Sequence, residues 1–392
     1  MNYILFDGPH RDNLLPLTYT RPVADIRVGI LTIREKWEHH LGSTTSTVTE
    51  DYLEDKFPMV EMEQNVMINA SYLPNENLVE KITSLQENQA IFHGEDIVAF
   101  FVSEDQEHVD FENFESIAYS AENLITIKNT WDIFAKNGVA LEADFDLITQ
   151  DRESQPIPKK VHVVNPDRVF LEEGAQIEVG VLNASNGPIY LGKNSEVMEG
   201  SVVRGPFALC EDSALKIGAK IYGPTTVGPH CKVGGEVNNS VIFGYSNKGH
   251  DGFLGNSVLG EWCNLGADTN NSNLKNNYAE VRLWSYETEK FEMTGMQFCG
   301  LIMGDHSKCG INTMFNTGTV VGVSANIFGS GFPRNFIPSF SWGGSQGFTT
   351  YATKKAYETA KLVMERRGIE FDEQEEDILE SVFELSKKYR RD

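Results

Sequence analysis

A six-residue spacing of aliphatic side chains is the feature that most limits what this chain can fold into. The spacing holds without a miss at Leu191, Val197, Val203, Leu209, Leu215, Ile221, Val227 and Val233. An amphipathic helix repeats its apolar face about every 3.6 residues, and a half-buried strand repeats it at every second residue. A sustained period of six instead indicates short segments stacked as a β-solenoid, each contributing one inward aliphatic side chain.

The same spacing returns on both sides of this run. The further positions, spaced by six within their own blocks, are Leu171, Ile177, Phe253, Leu259, Leu265, Met303, Cys309, Phe315, Val321 and Ile327. Small, glycine-containing and polar residues lie between the aliphatic positions, which suits tight corners. Irregular stretches separate three phased blocks, so we predict one coil that carries excursions.

This pattern resembles the hexapeptide-repeat proteins over residues 165–330. The resemblance implies a left-handed parallel β-helix built from triangular coils of three hexapeptides. Most catalytic members of that superfamily are trimeric acyltransferases with active sites between neighbouring chains, so the resemblance also implies a homotrimer. An inert spacer or a trimerisation rod is the alternative, because fold alone does not establish activity.

Composition excludes several classes of partner. The formal net charge of −24 repels polyanions, so we expect no nucleic-acid partner and no docking on a membrane surface. A small anionic substrate needs only a local cluster of Lys, Arg or backbone N–H groups. No apolar run approaches the roughly 20 residues that cross a bilayer, and the first residues lack the pattern of a secretion signal, so we expect a cytoplasmic protein.

The five cysteines show no CxxC spacing, which favours buried thiols over disulfides or zinc ligands. A zinc site like that of the trimeric carbonic anhydrases, which share the solenoid, would need three histidines. His230, His250 and His306 supply the number, but they are separated by 20 and 56 residues. Scattered histidines are weak support for a metal site.

The segment SNKGHDGFLGNSVLGEWCNLGADT, residues 246–269, interrupts the repeat and concentrates polar residues. It resembles the acetyltransferase half of the bifunctional bacterial enzyme that makes UDP-N-acetylglucosamine, where SKAGHxxYLGD is followed by NIGAGT. The matching residues are Ser246, Gly249, His250, Leu254, Gly255, Asn264, Gly266, Ala267 and Thr269.

Acyl transfer from a thioester to an amine needs a base, because only the neutral amine is a nucleophile, and histidine suits that task. The resemblance implies that His250 is this base and that acetyl-CoA lies along the solenoid. It also implies roles in binding: substrate contacts from Lys248, Phe253 and Asn264, and cofactor contacts from Gly266, Ala267 and Thr269. The alternatives are a loop histidine without a chemical role and an asparagine ladder at a solenoid corner.

Two residues in this segment depart from the family pattern. Phe253 replaces a tyrosine that contacts substrate, and Asn247 replaces a lysine, with Lys248 one position later. Both departures lie where the resemblance implies contacts to the acetyl acceptor, expected to be glucosamine-1-phosphate.

The segment LFDGPHRDNLLPLTYTRP, residues 5–22, resembles the opening LAAGxGTRLxPLTxxRPK of sugar-1-phosphate nucleotidyltransferases. The matching residues are Gly8, Leu15, Pro16, Leu17, Thr18, Arg21 and Pro22. The resemblance implies binding of a nucleoside triphosphate (UTP or dTTP) and a hexose-1-phosphate by Gly8, Arg11 and Arg21, with Mg²⁺ assisting nucleotidyl transfer. The family's metal-binding aspartate has Asn69 as its counterpart, so the metal ligands stay unassigned.

The predicted fold class is an α/β nucleotidyltransferase-like domain at 1–158, an all-β left-handed parallel β-helix at 159–345, and C-terminal helices at 346–392. This order, with PSFSWGG at 338–344, resembles a divergent family of bifunctional UDP-N-acetylglucosamine pyrophosphorylase/glucosamine-1-phosphate N-acetyltransferases. The expected function is a sugar-phosphate transferase of nucleotide-sugar biosynthesis. The alternatives are a catalytically degenerate sugar-nucleotide-binding scaffold and a single-activity glucose-1-phosphate thymidylyltransferase-like enzyme.

Overall fold

A computed structural model describes residues 1–103 and 110–390. Contacts divide the chain into two compact units. Unit 1 comprises Met1–Leu14, Thr20–Ile26 and Leu31–Asn129, and unit 2 comprises Leu15–Tyr19, Arg27–Ile30 and Thr130–Asp392. The predicted boundaries near residues 158 and 345 stay predictions.

Unit 1 is an α/β layer built on a six-stranded sheet of order β2-β1-β3-β5-β4-β6. The strands are β1 Asn2–Phe6, β2 Ser46–Val48, β3 Gln64–Asn69, β4 Gln89–His93, β5 Asp96–Ser103 and β6 Glu115–Ala118. Strand β1 is parallel to β2 and β3, whereas β5 is antiparallel to β3 and β4. The helices are α1 Ile33–Leu41 and α2 Glu76–Thr83.

Local sequence explains where α1 begins and ends. The Thr32 hydroxyl accepts a bond from the backbone N–H of Glu35 at 3.2 Å, and the Glu35 carboxylate accepts one from the Thr32 N–H at 2.6 Å. This capping box satisfies two donors that a helix start leaves without partners. Gly42 ends the helix at φ 63°, a left-handed conformation that glycine adopts without steric cost.

Unit 2 is a parallel β-solenoid, which confirms the predicted solenoid. We name its three faces by their strands. Face 1 contains His162–Val164, Gly180–Asn183, Ser201–Arg204, Lys220–Tyr222, Glu236–Asn238 and Phe253–Gly255. Face 2 contains Val169–Leu171, Ile189–Leu191, Phe207–Leu209, Thr225–Val227, Val241–Ile242, Val258–Leu259, Leu301–Met303, Thr319–Val321 and Phe336–Ile337. Face 3 contains Gln176–Ile177, Glu196–Val197, Ala214–Leu215, Lys232–Val233, Asn247–Lys248, Asn264–Leu265, Lys308–Cys309, Asn326–Ile327, Ser341–Gly344 and Gly347–Thr350.

The six-residue aliphatic positions form the solenoid core. All eight members of the main run are no more than 1% exposed. Parallel pairing places each aliphatic residue opposite another one: Leu191 lies opposite Leu209, which lies opposite Val227 on the next coil. The inward stacking that the spacing predicted is confirmed.

One predicted core position is wrong. Leu254, not Phe253, faces inward at 1% exposed, and its register partner on the previous coil is Val237. The corner after this strand is shorter, because inward Leu259 follows Leu254 after only five residues. This shortening moves the phase by one residue and leaves Phe253 half-buried on the outer side of face 1.

The coil carries the predicted excursion. Pairing passes from Val258–Leu259 directly to Ile302–Met303 on face 2 and from Asn264–Leu265 directly to Lys308–Cys309 on face 3, so an excursion leaves the coil between Leu265 and Leu301. It contains an antiparallel hairpin of Arg282–Ser285 and Lys290–Met293, and Asn270–Asn271 pairs with Met314–Phe315. All five cysteines are buried and free, as predicted.

One corner of the solenoid carries a stack of rings, which we call the ring column. It consists of His230, Tyr245, Trp262 and His306, all with φ between 57° and 61°. Successive ring centroids lie 4.7, 4.2 and 6.2 Å apart with planes within 14° of parallel. Bulky residues rarely adopt this backbone region, at a cost of about 1–3 kcal/mol each, which stacking and burial offset.

Four further helices belong to unit 2: α3 Thr130–Ala135, α4 Asn137–Thr149, α5 Thr353–Glu365 and α6 Glu373–Leu385. The last two confirm the C-terminal helices predicted within residues 346–392. Helix α5 buries Ala356, Ala360 and Met364, which recur at helical spacing. Within the described ranges, no helix combines the length and the hydropathy needed to span a membrane.

Replacing an inward aliphatic residue should destabilise the coil far more than replacing its exposed neighbour. Ile221 is 1% exposed, whereas Ile217 is 72% exposed on the same coil. We expect Ile221→Ala to lower the free energy of unfolding by about 2–5 kcal/mol because it leaves a cavity, and Ile217→Ala to change it by no more than about 0.5 kcal/mol. Chemical denaturation of both variants measures the difference, and equal losses would contradict the inward assignment.

Candidate functional site

A groove of about 1000 Å³ runs along face 3 beneath helix α5, and we call it the face 3 groove. The solenoid and α5 with the two residues after it both line the groove, and we call their contributions the solenoid wall and the helix wall. The solenoid wall includes Lys216, Lys232, Tyr245, Asn247, Gly249, His250, Trp262, Asn264, Gly266, Ala267 and Lys308. The helix wall includes Thr359, Leu362, Val363, Arg366 and Arg367.

Four of the predicted site residues line this groove: His250, Asn264, Gly266 and Ala267. His250 and Asn264 are exposed to solvent. Asn264 lies in register with Asn247 on the preceding coil, so their backbones are one strand spacing, about 4.8 Å, apart. The ordered motif therefore brings an imidazole and two amides to one wall.

Lys248 takes an unexpected place, inside the coil. It occupies the inward register of face 3 opposite Val233, is 2% exposed, and donates from Nζ to the backbone carbonyl of His250 at 2.7 Å. Burial lowers the pKa of Lys248 to about 8, since an apolar interior disfavours the charged form. Its amine supports the His250 loop from inside.

Two other predicted residues do not line the groove. Phe253 lies on face 1, where its ring packs close to Gly255. Thr269 is 2% exposed and donates to the carbonyl of Gly266 at 2.7 Å, so it braces the turn that carries Gly266 and Ala267. Their roles in binding stay predictions.

Cations gather at the face 3 groove, and no Asp or Glu lines it. The cation cluster consists of Lys216, Lys232, Lys308, Arg366 and Arg367. In the described part of the chain, none of the five forms an ion pair with a carboxylate. Sequence reasoning expected such cations without placing them, because Arg366 and Arg367 directly follow α5, more than 100 residues beyond His250.

Lys308 is half-buried at an outward position and makes a bond like that of Lys248. Lys308 donates from Nζ to the carbonyl of His306 at 2.8 Å, and burial lowers its pKa to about 8. In register, the outward positions of face 3 run Lys232, Asn247, Asn264 and Lys308. Asn247 therefore has Lys232 as its neighbour on the preceding coil, and Asn264 has Lys308 as its neighbour on the following coil.

In unit 1 the predicted phosphate-binding residues are buried. A side chain at Gly8 would lie 2.6 Å from the amide of Asn69. Arg11 is 8% exposed and donates to Asp7 Oδ2 and to the Tyr52 hydroxyl, both at 3.1 Å. Arg21 is 6% exposed. Their substrate roles stay predictions.

The residues in place do not fit the expected Mg²⁺ site. Asn69 is fully buried; its amide donates to the carbonyl of Ile97 at 3.0 Å and accepts from the N–H of Ser71 at 2.9 Å. The nearby carboxylate of Asp7 accepts from the Val23 N–H and the Thr49 hydroxyl, each at 2.7 Å. Protein donors thus occupy the oxygens that a hard cation would need.

Sequence reasoning missed a polar cluster around Asp96 at the start of β5. Its carboxylate accepts from the Tyr72 hydroxyl at 2.9 Å, from His10 Nε2 at 3.3 Å and from Lys128 Nζ. Burial alone would raise the pKa of Asp96, but these donors outweigh it and lower the pKa to about 2. No local motif joins residues 10, 72, 96 and 128, so only the fold brings them together.

Comparison with known proteins first defines the class. Residues 3–153 match the family model described as sugar nucleotidyl transferase. The N-terminal region is therefore a sugar nucleotidyl transferase domain, followed in the same chain by a parallel β-solenoid. The match supports the predicted class of enzyme, a transferase.

The curated relatives are more particular. The chain is 25% identical over 238 residues to bifunctional protein GlmU of Synechococcus elongatus, covering 54% of this chain and 48% of that protein. It is 33% identical over 87 residues to bifunctional protein GlmU of Methanocaldococcus jannaschii, covering 22% and 21%. The match therefore spans about half the length of the Synechococcus protein and about a fifth of the Methanocaldococcus protein. The predicted relationship to the bifunctional enzymes is confirmed at this low identity.

Solved structures give a weaker likeness. The UDP-N-acetylglucosamine acyltransferase of Arabidopsis is 14% identical, covers 59% of this chain and 91% of its own, and has a TM-score of 0.23. The enzyme of that name from Campylobacter jejuni has 15% identity and a TM-score of 0.18. We therefore assign the fold from the strand pairing within this chain.

The burial of Lys248 should make stability depend on pH. Because its pKa falls from 10.5 to about 8 on folding, the unfolded chain binds more protons between these values. We expect the free energy of unfolding of the wild type to rise across this window, relative to Lys248→Met, by up to about 3 kcal/mol. Chemical denaturation at several pH values measures it, with exposed Lys193→Met as the control. Parallel curves for wild type and Lys248→Met would contradict the buried amine.

Proposed function

We propose that the face 3 groove transfers an acetyl group from acetyl-CoA to the amine of an amino-sugar-1-phosphate, with glucosamine-1-phosphate as the expected acceptor. One observation carries the proposal: four residues of the ordered motif, His250, Asn264, Gly266 and Ala267, line a single groove that also holds five cations. The groove is large enough for a substrate and part of a cosubstrate, since ligand sites commonly measure about 300–1000 Å³.

His250 is the proposed general base. The amine nitrogen attacks the thioester carbonyl carbon, the C–N bond forms and the C–S bond breaks. His250 takes the proton that the amine loses and returns it to the leaving sulfur, so the products are an amide and a free thiol. Lys248 holds the carbonyl of His250 at 2.7 Å and limits the movement of the loop, which keeps the imidazole near the reacting atoms.

The flanking residues have separate proposed tasks. Asn264, exposed and in register with Asn247, offers amide donors and acceptors to sugar hydroxyls. Gly266 and Ala267 present little side chain, so a pantetheine chain can approach their backbone closely. A cytoplasmic homotrimer in which a neighbouring chain closes the groove is part of the proposal.

For the N-terminal domain the match over residues 3–153 supports binding of UTP or dTTP and a hexose-1-phosphate. Nucleotidyl transfer would follow in an active member. The pairing of Arg11 with Asp7 and the burial of the Asn69 amide favour the second candidate, a domain that binds a sugar nucleotide without transfer. We adopt this candidate for the N-terminal domain.

Removing the proposed base should abolish most acetyl transfer. We expect His250→Ala to lower kcat for thiol release from acetyl-CoA with glucosamine-1-phosphate by about 10²–10⁴-fold, the usual contribution of general base catalysis. The exposed His162→Ala on face 1 should behave as wild type and serves as the control. Full activity of His250→Ala would remove this histidine from the mechanism.

The N-terminal domain is tested on the intact chain with two readouts. We expect UTP or dTTP to raise the Tm, because a ligand that binds only the folded state stabilises it. We expect no pyrophosphate release with glucose-1-phosphate or N-acetylglucosamine-1-phosphate. Steady pyrophosphate release would instead establish nucleotidyl transfer, and absence of any Tm shift would contradict binding.

A further inference from the structure

We propose that unit 1 binds the phosphates of its nucleotide without a divalent metal ion, and that the ammonium of Lys128 supplies the positive charge instead. The inference rests on the proposed nucleotide binding by this domain and adds which group meets the phosphates. Four side chains in mutual contact carry it, and we call them the Asp96 cluster: His10, Tyr72, Asp96 and Lys128.

The position of the Asp96 cluster in the sheet is the first argument. His10 follows the end of β1, and Tyr72 follows the end of β3, which is parallel to β1. Strand β5 is antiparallel to β3, so Asp96 at its start lies at the same edge of the sheet. In open α/β sheets, ligands bind outside the carboxyl ends of the parallel strands. The topology therefore places the cluster where a nucleotide is expected.

The oxygens that a metal ion would need at this edge are the second argument. Protein groups bond both polar atoms of the Asn69 amide and both carboxylate oxygens of Asp7. The Oδ2 of Asp96 accepts from all three donors of the cluster. Within residues 1–103 and 110–390, no three His, Cys, Asp or Glu side chains come together as metal ligands. The cation that Asp96 holds is therefore the ammonium of Lys128.

The backbone fixes Lys128 beside the end of β3. The N–H of Ile127 donates to the carbonyl of Ser71 at 2.7 Å, and the N–H of Leu73 donates to the carbonyl of Ile125 at 3.0 Å. These bonds join the segment before Lys128 to the residues that directly follow β3. Lys128 is therefore held at this edge by main-chain bonds as well as by its own side chain.

The side chain of Lys128 is accessible and oriented by its neighbours. It is 28% exposed, and its ammonium lies 5.7 Å from the centre of the Tyr72 ring, within the range of an attractive cation–π contact. Asp96 holds this ammonium as a carboxylate would hold a metal ion. An ammonium is a compact point charge that binds phosphate oxygens well. The ligand chemistry is therefore the polyphosphate of a nucleotide.

Calorimetry on the full chain tests the inference with UTP and dTTP, each in a buffer with Mg²⁺ and in a buffer with EDTA. We expect the wild type to bind in EDTA at least as tightly as with Mg²⁺, because a chelator removes a metal ion but not a lysine. Lys128→Gln keeps an N–H donor for Asp96 and removes the charge. We expect it to raise Kd about 10–100-fold in both buffers, since a charge-assisted hydrogen bond is lost. Lys128→Arg should restore part of the loss.

The control is Lys81→Gln, because Lys81 lies in the last turn of α2 and outside the Asp96 cluster. This variant should bind both nucleotides as the wild type does. A wild type that binds only with Mg²⁺, or a Lys128→Gln variant that binds as tightly as Lys81→Gln, would overturn the inference. Thermal denaturation checks that the variants fold, and the comparison of the two buffers needs no variant.

Failure of this inference is distinguishable from failure of the proposed nucleotide binding. If the wild type binds neither nucleotide in either buffer, the proposed binding and this inference are both wrong. If it binds only with Mg²⁺, the proposed binding stands and the inference alone is wrong. Binding in EDTA that Lys128→Gln weakens supports both.

Discussion

In-register stacking of inward aliphatic side chains is the constraint on which the rest of the solenoid depends. Each inward residue lies on its counterpart one coil away, as Leu191 lies on Leu209, so every outward residue also gains a fixed neighbour. Outward rows therefore follow from the core register. On face 3 that row reads Lys232, Asn247, Asn264 and Lys308, and it builds one wall of the groove without a dedicated scaffold.

The same core is interrupted where the proposed chemistry lies. Lys248 takes an inward place that aliphatic residues occupy on neighbouring coils, and its buried charge costs stability. The bond from its amine to the carbonyl of His250 gives the buried amine a partner and fixes the loop of the proposed base. Sequences whose local patterns otherwise agree with their fold commonly break the hydrophobic pattern at functional sites.

Much of the fold was predictable from the sequence because the solenoid repeats one local signal many times. The prediction that Phe253 faces inward was wrong, because a shortened corner changes the spacing between inward residues and no residue type nearby signals it. Leu254 faces inward instead. His250, Asn264, Gly266 and Ala267 could be grouped since they lie within one motif. The helix wall with Arg367, and the bond from Arg11 to the Tyr52 hydroxyl, depend on long-range contacts that spacing does not encode.

A co-crystal structure with CoA tests the central claim most directly, namely that the face 3 groove is an acyl-transfer site. The account predicts the thiol of CoA within reach of the His250 imidazole, with the pantetheine chain passing Gly266 and Ala267. CoA bound away from face 3, or an imidazole remote from its sulfur, would contradict it.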